Sequence, residues 1–552
     1  MSEPSEPLEP APHEPMRSRS GAVLVAAGIL SSRLVGLLRN SALAHYFGVG
    51  PHVDVLNMAL RAPNFLQNLL GEGTLSAAFI PIYSRLLHAG REEEARRFAG
   101  AIFGLLVATA GTLSLLGVLF ARPITAVLAM GFLQDAGAVD RFELTVAAVR
   151  IIFPMTAFLV LSAWALGVLN SHRRFFLPYF APVLWNVAII TALVWAGGWG
   201  AGGVPELAHL NRLLFAACWG ALAGGLLQFF VQLPLALRLA RGLRPSLSLQ
   251  VSGVREALSA FGPVVTGRGV VQLAGYLDYF LAGFLAAGAV AALGFAQVLY
   301  MLPISLFGMS VAASELPELA RLGGGAAGEM VPRVRRSLRQ MAFLNVPTFV
   351  GYLAFGYLLV GALLRRGSFQ LAGNWLVYLV LCGYSLGLLA TTSSRLLQNT
   401  FYALGETRTP AWIAGLRVFL SAALGIPLML VLDRYGTPGG VERPLYLGAV
   451  GLALGSGVAA WLELLLLRRA LATRDLRAVV PWPEMAKMTG LAAAAALPAA
   501  LLWWRLPAVS MILQALLVVG VYAAAYLLLA KLAGMAELEA FFGGLKRRVA
   551  RR

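Results

Sequence analysis

The sequence predicts an all-α membrane protein with about 14 transmembrane helices, arranged as two six-helix lobes plus two C-terminal helices around a central cavity. Of its 552 residues, 59% are hydrophobic and only 13% are charged, and the mean hydropathy is +0.75. Soluble domains contain about 25% charged residues. Apolar stretches of the ~20 residues that a helix needs to cross a bilayer recur along almost the whole chain. These observations exclude a soluble fold.

Polar interruptions divide the apolar region into spans, six in each lobe and two at the end. The predicted spans cover residues 21–47, 54–87, 98–130, 144–170, 178–198, 209–241, 253–286, 289–318, 337–364, 373–403, 409–432, 444–470, 484–504 and 508–531. We number them 1 to 14. The predicted N-terminal lobe is then residues 21–245, the C-terminal lobe residues 246–472, and the last two spans lie in residues 473–532.

Two polar tails flank the spans. Residues 1–20 are rich in Pro, Glu and Ser and lack the basic and apolar regions of a signal peptide, which predicts a disordered cytoplasmic tail. Residues 533–552 form a basic tail. Arg and Lys are concentrated in the loops that lie on the same side as both tails, so we expect both termini in the cytoplasm. This bias also explains the net charge of +18 without a nucleic-acid partner.

Reactive and metal-binding side chains are sparse. The two cysteines, Cys218 and Cys382, lie inside apolar stretches, where cysteine packs as a small hydrophobic residue. The six histidines include no pair spaced four residues apart on a helix. We therefore predict no metal, no cofactor and no enzymatic activity. The expected partners are membrane lipids and a transported substrate, and the chain is expected to act as a monomer.

A weak internal repeat supports the two-lobe arrangement. Span 2 contains Pro63 and Pro81, and span 8 contains Pro303 and Pro317 at a similar separation. Transporters are often built from such repeated halves, although membrane helices commonly contain proline for other reasons. The repeat indicates two halves in the same orientation.

Arginines inside the predicted spans indicate a hydrated cavity. Apart from the arginines near span ends that are counted with the loops, they are Arg33, Arg39, Arg61, Arg150, Arg268, Arg395 and Arg417. Each costs about 2.5–3.5 kcal/mol at a helix centre on insertion scales, so several should face water inside the protein. In span 1 a polar face within ~120° of helical arc comprises Ser32, Arg33, Gly36, Arg39 and Asn40. The alternative for its two arginines is snorkelling to the membrane interface.

Span 2 contains a second polar stripe. Its members are Arg61, Asn64, Gln67, Asn68 and Glu72, and glycines flank Glu72. Glycine and proline here predict a broken helix that frees backbone groups into the cavity. Asp54, at the outer start of the span, is either a simple helix cap or a functional carboxylate.

Four stretches of the sequence resemble the MurJ family, the lipid II flippases of the multidrug/oligosaccharidyl-lipid/polysaccharide exporter superfamily. They are SSRLVGLLRNSALAHYFG at 31–48, RAPNFLQNLLGEGTLSAAFIPIYSRL at 61–86, RIIFPMTAFLVLSAWALGVLNSHRRFFLPYFAPVLWN at 150–186, and LLRRGSF at 363–369 with FYALGETRTP at 401–410. The resemblance covers roughly residues 20–530. It implies a flippase that moves the undecaprenyl-pyrophosphate-linked peptidoglycan precursor from the cytoplasmic to the outer leaflet of the bacterial inner membrane.

The resemblance also implies how the cargo is held. Two six-helix lobes would enclose a cationic cavity for the pyrophosphate, and the last two helices would form a groove for the lipid tail. Arginine suits the phosphate groups because its planar guanidinium donates two parallel hydrogen bonds. The polar residues of spans 1 and 2 would line this cavity.

The sequence departs from the family at three positions in spans 1, 2 and 8. Many members have Arg at the positions of Gln67 and Gln297 and Asp at the position of Asn40. The site for the pyrophosphate is therefore expected to contain fewer positive charges here. Arg268, in span 7, is expected to compensate for Gln297 as a substrate-binding residue.

A second pair of charges lies in the C-terminal lobe. Asp278 is the only carboxylate of span 7 beyond its first turn, and Arg417 lies in span 11. Because an unpaired charge in this environment is costly, we expect Asp278 and Arg417 to pair with each other.

Other functions remain open from the sequence. A flippase for another polyprenyl-linked saccharide, or a cation-coupled drug exporter of the same superfamily, would share the fold. A drug exporter should present acidic residues to cationic drugs, whereas the N-terminal lobe presents arginines. A membrane glycosyltransferase would need catalytic carboxylates or metal ligands in a loop domain, and the loops are short.

Overall fold

A computed structural model of the chain describes residues 18–71, 78–134, 139–198, 206–309, 327–438, 445–474, 480–506 and 510–539, together with Leu75, Val311, Glu315, Leu319, Leu476 and Arg477. Within its helices, the side chains of residues 18–24, 26, 263–274, 309, 327 and 328 are outside this description. The described part of the chain is α-helical, and its only β-type pairing is an isolated bridge between Gly436 and Tyr446. The predicted all-α fold is confirmed.

The region predicted as the N-terminal lobe contains eleven α-helices in its described residues. They are α1 (Ser18–Phe47), α2 (Pro51–Ala59), α3 (Arg61–Leu70), α4 (Ile80–His88), α5 (Glu92–Leu119), α6 (Ala121–Leu128), α7 (Arg141–Ile152), α8 (Met155–Ser171), α9 (Phe176–Phe180), α10 (Pro182–Gly197) and α11 (Leu207–Leu239). A short 3₁₀ helix, Met130–Gln134, follows α6. In its described residues, predicted span 2 is interrupted after α2 and after α3, as its glycines and prolines indicated.

The remaining described residues contain nine further α-helices. They are α12 (Val254–Ala282), α13 (Ala289–Pro303), α14 (Ala327–Leu364), α15 (Leu371–Leu386), α16 (Leu388–Ala403), α17 (Arg408–Leu432), α18 (Gly448–Ala472), α19 (Trp482–Arg505) and α20 (Met511–Leu532). A π-helical turn, Ile304–Met309, continues α13. Proline in the helical stretch at Pro303 removes a backbone donor at this junction.

Eleven helical segments of the described residues are long and apolar enough to cross a membrane. They correspond to every predicted span except 1, 2 and 7. The chain is therefore a multi-pass membrane protein, and the count of fourteen spans stays a prediction.

Among the described side chains, three clusters of buried hydrophobic residues hold the helices together. The largest joins the two halves, since it contains Val55 of α2 together with Ala292 of α13. A second packs α19 and α20 against α14, where the hydroxyls of Tyr522 and Tyr526 donate to backbone carbonyls. The third lies in the N-terminal half and includes Val254, in the first turn of α12. Helix α12 thus begins against one half of the molecule and ends in the cluster that joins both.

Candidate functional site

A polar cavity of about 400 Å³ lies between the two halves of the molecule. Its lining residues come from α3, α12 and α13: Arg61, Asn64, Gln67, Asn68, Gly275, Tyr276 and Gln297. Spacings of three and four residues place three of the α3 side chains on one face of that helix. The structure thus brings together four predicted site residues from different helices, namely Arg61, Asn64, Gln67 and Gln297.

Arg61 is the only fully charged side chain among these lining residues. The other polar side chains of the lining are the amides of Asn64, Gln67, Asn68 and Gln297 and the hydroxyl of Tyr276. This set offers several hydrogen-bond donors and no carboxylate, so it favours an anionic ligand over a cationic one.

Two tyrosines of α12 contact Arg61. The guanidinium carbon lies 3.3 Å from the ring centroid of Tyr279 and 5.9 Å from that of Tyr276. The Tyr276 hydroxyl donates a hydrogen bond to the Arg61 carbonyl oxygen. The Tyr279 hydroxyl donates to Oε1 of Gln297 over 2.6 Å. Neither tyrosine was predicted from the sequence.

The polar face of α1 is not part of the lining of this cavity. The Arg39 guanidinium lies 4.9 Å from the ring centroid of Trp185 on α10, and its Nε is buried without a hydrogen-bond partner. Asn40 is buried, and its side chain donates to the Gly36 carbonyl. Arg39 therefore packs against a helix of its own half of the molecule, and Asn40 forms its hydrogen bond within α1.

The other members of this face lie closer to the N-terminus of α1. Arg33 is exposed, and so are Leu30, Leu34 and Leu38. Ser32 is partly buried. A charged side chain therefore borders an apolar exposed surface along α1.

Asp54 is fully buried and joins the two halves of the molecule. Its carboxylate accepts hydrogen bonds from the backbone N–H groups of Gly288 and Ala291, both over 2.7 Å, at the N-terminus of α13. Gly288 adopts a φ of +100°, in the left-handed region that favours glycine. A carboxylate at this position satisfies free N–H groups and interacts favourably with the helix dipole. Asp54 thus caps α13, a helix of the opposite half, and not the helix in which it lies.

Arg141 completes this contact. Its side chain donates to Asp54 over 3.3 Å and to the Leu285 carbonyl over 3.3 Å, and it is 3% exposed. The Phe132 ring lies 4.4 Å from its guanidinium. Arg141 lies between predicted spans 3 and 4, and its position just before an apolar span was a signal for burial.

A second contact lies at the same end of the molecule, where the backbone N–H of Ser368 donates to the His45 carbonyl over 2.8 Å. Val49 packs against both Gly288 and Gly373, so close that added Cβ atoms at these glycines would meet it. Two of the sequence stretches that carry the family resemblance, 31–48 and 363–369, meet here. The two halves of the molecule are therefore in contact at this end.

The expected ion pair between Asp278 and Arg417 is wrong for the described side chains. Asp278 accepts a hydrogen bond from the Tyr384 hydroxyl over 3.1 Å. Arg417 instead pairs with Glu463 of α18 over 2.7 Å, and Gln398 donates to the same carboxylate over 2.9 Å. Glu463 was overlooked, although a carboxylate in the apolar run WLELLLL is itself a signal for a buried partner.

Two predicted site residues cannot be placed. Glu72 lies outside the described residues, and so does the side chain of Arg268, although its backbone belongs to α12. Their roles stay predictions. The same holds for a compensation of Gln297 by Arg268.

Comparison with known proteins gives consistent matches. The family model described as lipid II flippase MurJ matches residues 43–528. A lipid II flippase MurJ from Burkholderia cenocepacia is 31% identical over 461 residues, covering 82% of this chain and 84% of the relative. A probable lipid II flippase MurJ from Rhizobium tropici is 32% identical over 448 residues, covering 80% of this chain and 78% of the relative.

Solved structures share the fold. A lipid II flippase MurJ in an inward closed conformation matches with a TM-score of 0.70 and 20% identity, covering 92% of this chain and 99% of the other. An inward-facing multidrug resistance transporter of the MATE family matches with a TM-score of 0.61 and 16% identity, covering 82% and 99%. At these identities the likeness concerns the fold alone.

Proposed function

Because the chain belongs to the lipid II flippase MurJ family, we propose that it moves lipid II, the undecaprenyl-pyrophosphate-linked peptidoglycan precursor, from the cytoplasmic to the outer leaflet of the bacterial inner membrane. We propose a transporter and not an enzyme. Both termini lie in the cytoplasm, as the distribution of Arg and Lys predicts.

The cavity between the lobes holds the pyrophosphate. Arg61 provides two parallel donors for phosphate oxygens, and Asn64, Gln67 and Gln297 add neutral donors around it. The single observation that carries the proposal is this donor-rich and carboxylate-free lining at the junction of the two lobes. A lining of this kind favours binding of a phosphate headgroup and disfavours binding of a cationic drug. It therefore counts against the drug-exporter alternative.

Arg33 and Arg39 act before the cargo reaches this cavity. Arg33 borders the exposed leucines of α1, so a pyrophosphate can meet the guanidinium while its prenyl tail stays in lipid. Arg39 lies further along the same helix, where Trp185 holds its guanidinium. Ser32, Gly36 and Asn40 complete this face of α1.

The protein works by alternating access between two lobes, residues 21–245 and 246–472. The contacts of Asp54 with Arg141 and with the N-terminus of α13 support a state that is closed on the outer side. Cargo enters from the cytoplasmic side in this state. Breaking these contacts separates the lobes and opens the outer side.

The last two helices accommodate the lipid tail. Helices α19 and α20 expose large apolar side chains, among them Leu497, Trp504, Leu516 and Leu532, each more than two thirds exposed. An apolar surface of this kind is stable in a bilayer and suits an undecaprenyl chain beside the lobes. The monomer therefore supplies both a polar cavity and an apolar surface.

Complementation tests this function. Expression of the protein in cells depleted of their own lipid II flippase should restore growth, and the Arg33→Ala and Arg61→Gln variants should not, although they insert into the membrane. The matched control is Arg505→Gln, which changes an exposed arginine at the end of α19. This variant should restore growth. Failure of the wild-type protein, with membrane expression verified, would refute lipid II as the cargo.

A further inference from the structure

Arg61 belongs to one lobe, but its contacts come from the other. Helix α3 carries Arg61, and α12 carries Tyr276 and Tyr279. We propose that Tyr279, supported by Tyr276, is a positioning residue that presents the Arg61 guanidinium to the cargo only while the lobes are closed on the outer side. This inference rests on the proposed function of the cavity.

The geometry leaves most N–H donors of the guanidinium for phosphate. With its carbon 3.3 Å from the Tyr279 ring centroid, one planar face of the group is covered by the ring. The N–H donors of arginine lie in the guanidinium plane, so covering a face does not consume them. The ring and a side-chain hydrogen bond from Arg61 to Tyr279 thus fix the orientation of the guanidinium. Its other N–H donors are available for phosphate oxygens.

Tyr279 is itself held in place. It is 1% exposed, and its hydroxyl donates to Oε1 of Gln297, which belongs to the cavity lining. Tyr276 holds the backbone of Arg61 through a hydrogen bond to its carbonyl oxygen and contacts the Phe65 ring at a centroid distance of 5.7 Å. Both the main chain and the side chain of Arg61 are therefore fixed from α12.

State-dependent affinity follows from this arrangement. An arginine side chain has many rotamers, and ordering it before the ligand binds lowers the entropic cost of binding. When the lobes separate on the outer side, α12 moves relative to α3 and this support is lost. The cavity then binds pyrophosphate more weakly, which favours release to the outer leaflet.

A series of variants at one position tests the idea by calorimetric titration of the purified full-length protein with undecaprenyl pyrophosphate. Tyr279→Phe keeps the ring over Arg61 but loses the hydroxyl, so it should bind more tightly than Tyr279→Leu. Tyr279→Leu should bind about 2- to 30-fold more weakly, the range expected for loss of a cation–π contact. Tyr378→Leu, which removes a tyrosine of the same lobe outside the cavity lining, is the matched control and should bind like the wild type.

A double variant separates positioning from general packing. If Tyr279 acts through Arg61, Tyr279→Leu should cause no further loss in an Arg61→Gln background. Equal losses in both backgrounds, or equal binding by the Leu variant and the wild type, would overturn the inference. If the Arg61→Gln variant shows no measurable binding, Tyr279→Phe is compared with Tyr279→Leu instead. Equally weak binding by these two variants would then overturn the inference. Absence of binding by the wild-type protein would instead contradict the proposed function.

Discussion

Removing the charge of Asp54 should shift the protein toward the state that is open on the outer side. The carboxylate accepts two backbone hydrogen bonds of 2.7 Å at the N-terminus of α13 and a longer one from Arg141. Asp54→Asn keeps the shape and one acceptor oxygen but loses the negative charge. Breaking a buried charge pair costs about 3–5 kcal/mol. Part of this cost is recovered because Arg141 regains water when the lobes separate.

We therefore expect the equilibrium to shift by about 2–4 kcal/mol, or roughly 30- to 700-fold. The assay is the labelling rate of a cysteine at Ala289, the buried first residue of α13, with an impermeant thiol reagent added from outside. Cys218 and Cys382 are first replaced by Ala to remove background labelling. Labelling should be much faster with Asp54→Asn than without it.

Asp140→Asn is the matched control. Asp140 precedes α7 and accepts a hydrogen bond from the backbone N–H of Glu143, a contact within one lobe. This variant removes a capping carboxylate without touching the contact between lobes, so the labelling rate at residue 289 should not change. Equal rates for Asp54→Asn and the parent protein, with both folded, would refute the gating role of Asp54.

Three further predictions follow from other parts of the molecule. Arg39→Ala should abolish growth support while the protein still inserts, whereas wild-type growth would show that this guanidinium is dispensable. Glu463→Gln should lower the free energy of unfolding by about 3 kcal/mol because it leaves Arg417 without its charged partner, and an unchanged thermal midpoint in detergent would contradict this. A cysteine at exposed Arg365 should react with an impermeant reagent in intact cells and one at exposed Arg336 should not; the reverse pattern would invert the topology.

The fold could be predicted from the sequence because membrane-spanning helices are recognised by their length and apolar composition. Breaks in span 2 were predicted correctly, since Gly and Pro act locally. The family resemblance, drawn from four stretches, is confirmed by the match over residues 43–528. The number of spans was less accessible, because broken or polar helices such as α2, α3 and α4 are individually too short to cross a membrane.

Contacts between distant helices were the part that the sequence did not determine. Helical spacing places Arg61, Asn64 and Asn68 on one face of α3, but it gives no information about which residue of α12 faces them. Tyr279 was missed for this reason. The pairing of Arg417 failed in the same way: both Asp278 and Glu463 are carboxylates within spans, and only the packing of α17 against α18 decides between them.

Transport itself is tested most directly by following lipid II between leaflets. Cells depleted of their own flippase are supplied with the wild-type protein or with Arg61→Gln, and radiolabelled precursor is exposed to an impermeant enzyme that cleaves its pyrophosphate from outside. We expect the wild-type protein to make the precursor cleavable and the variant, at equal membrane abundance, to leave it protected. Precursor that stays protected with the wild-type protein would contradict the account.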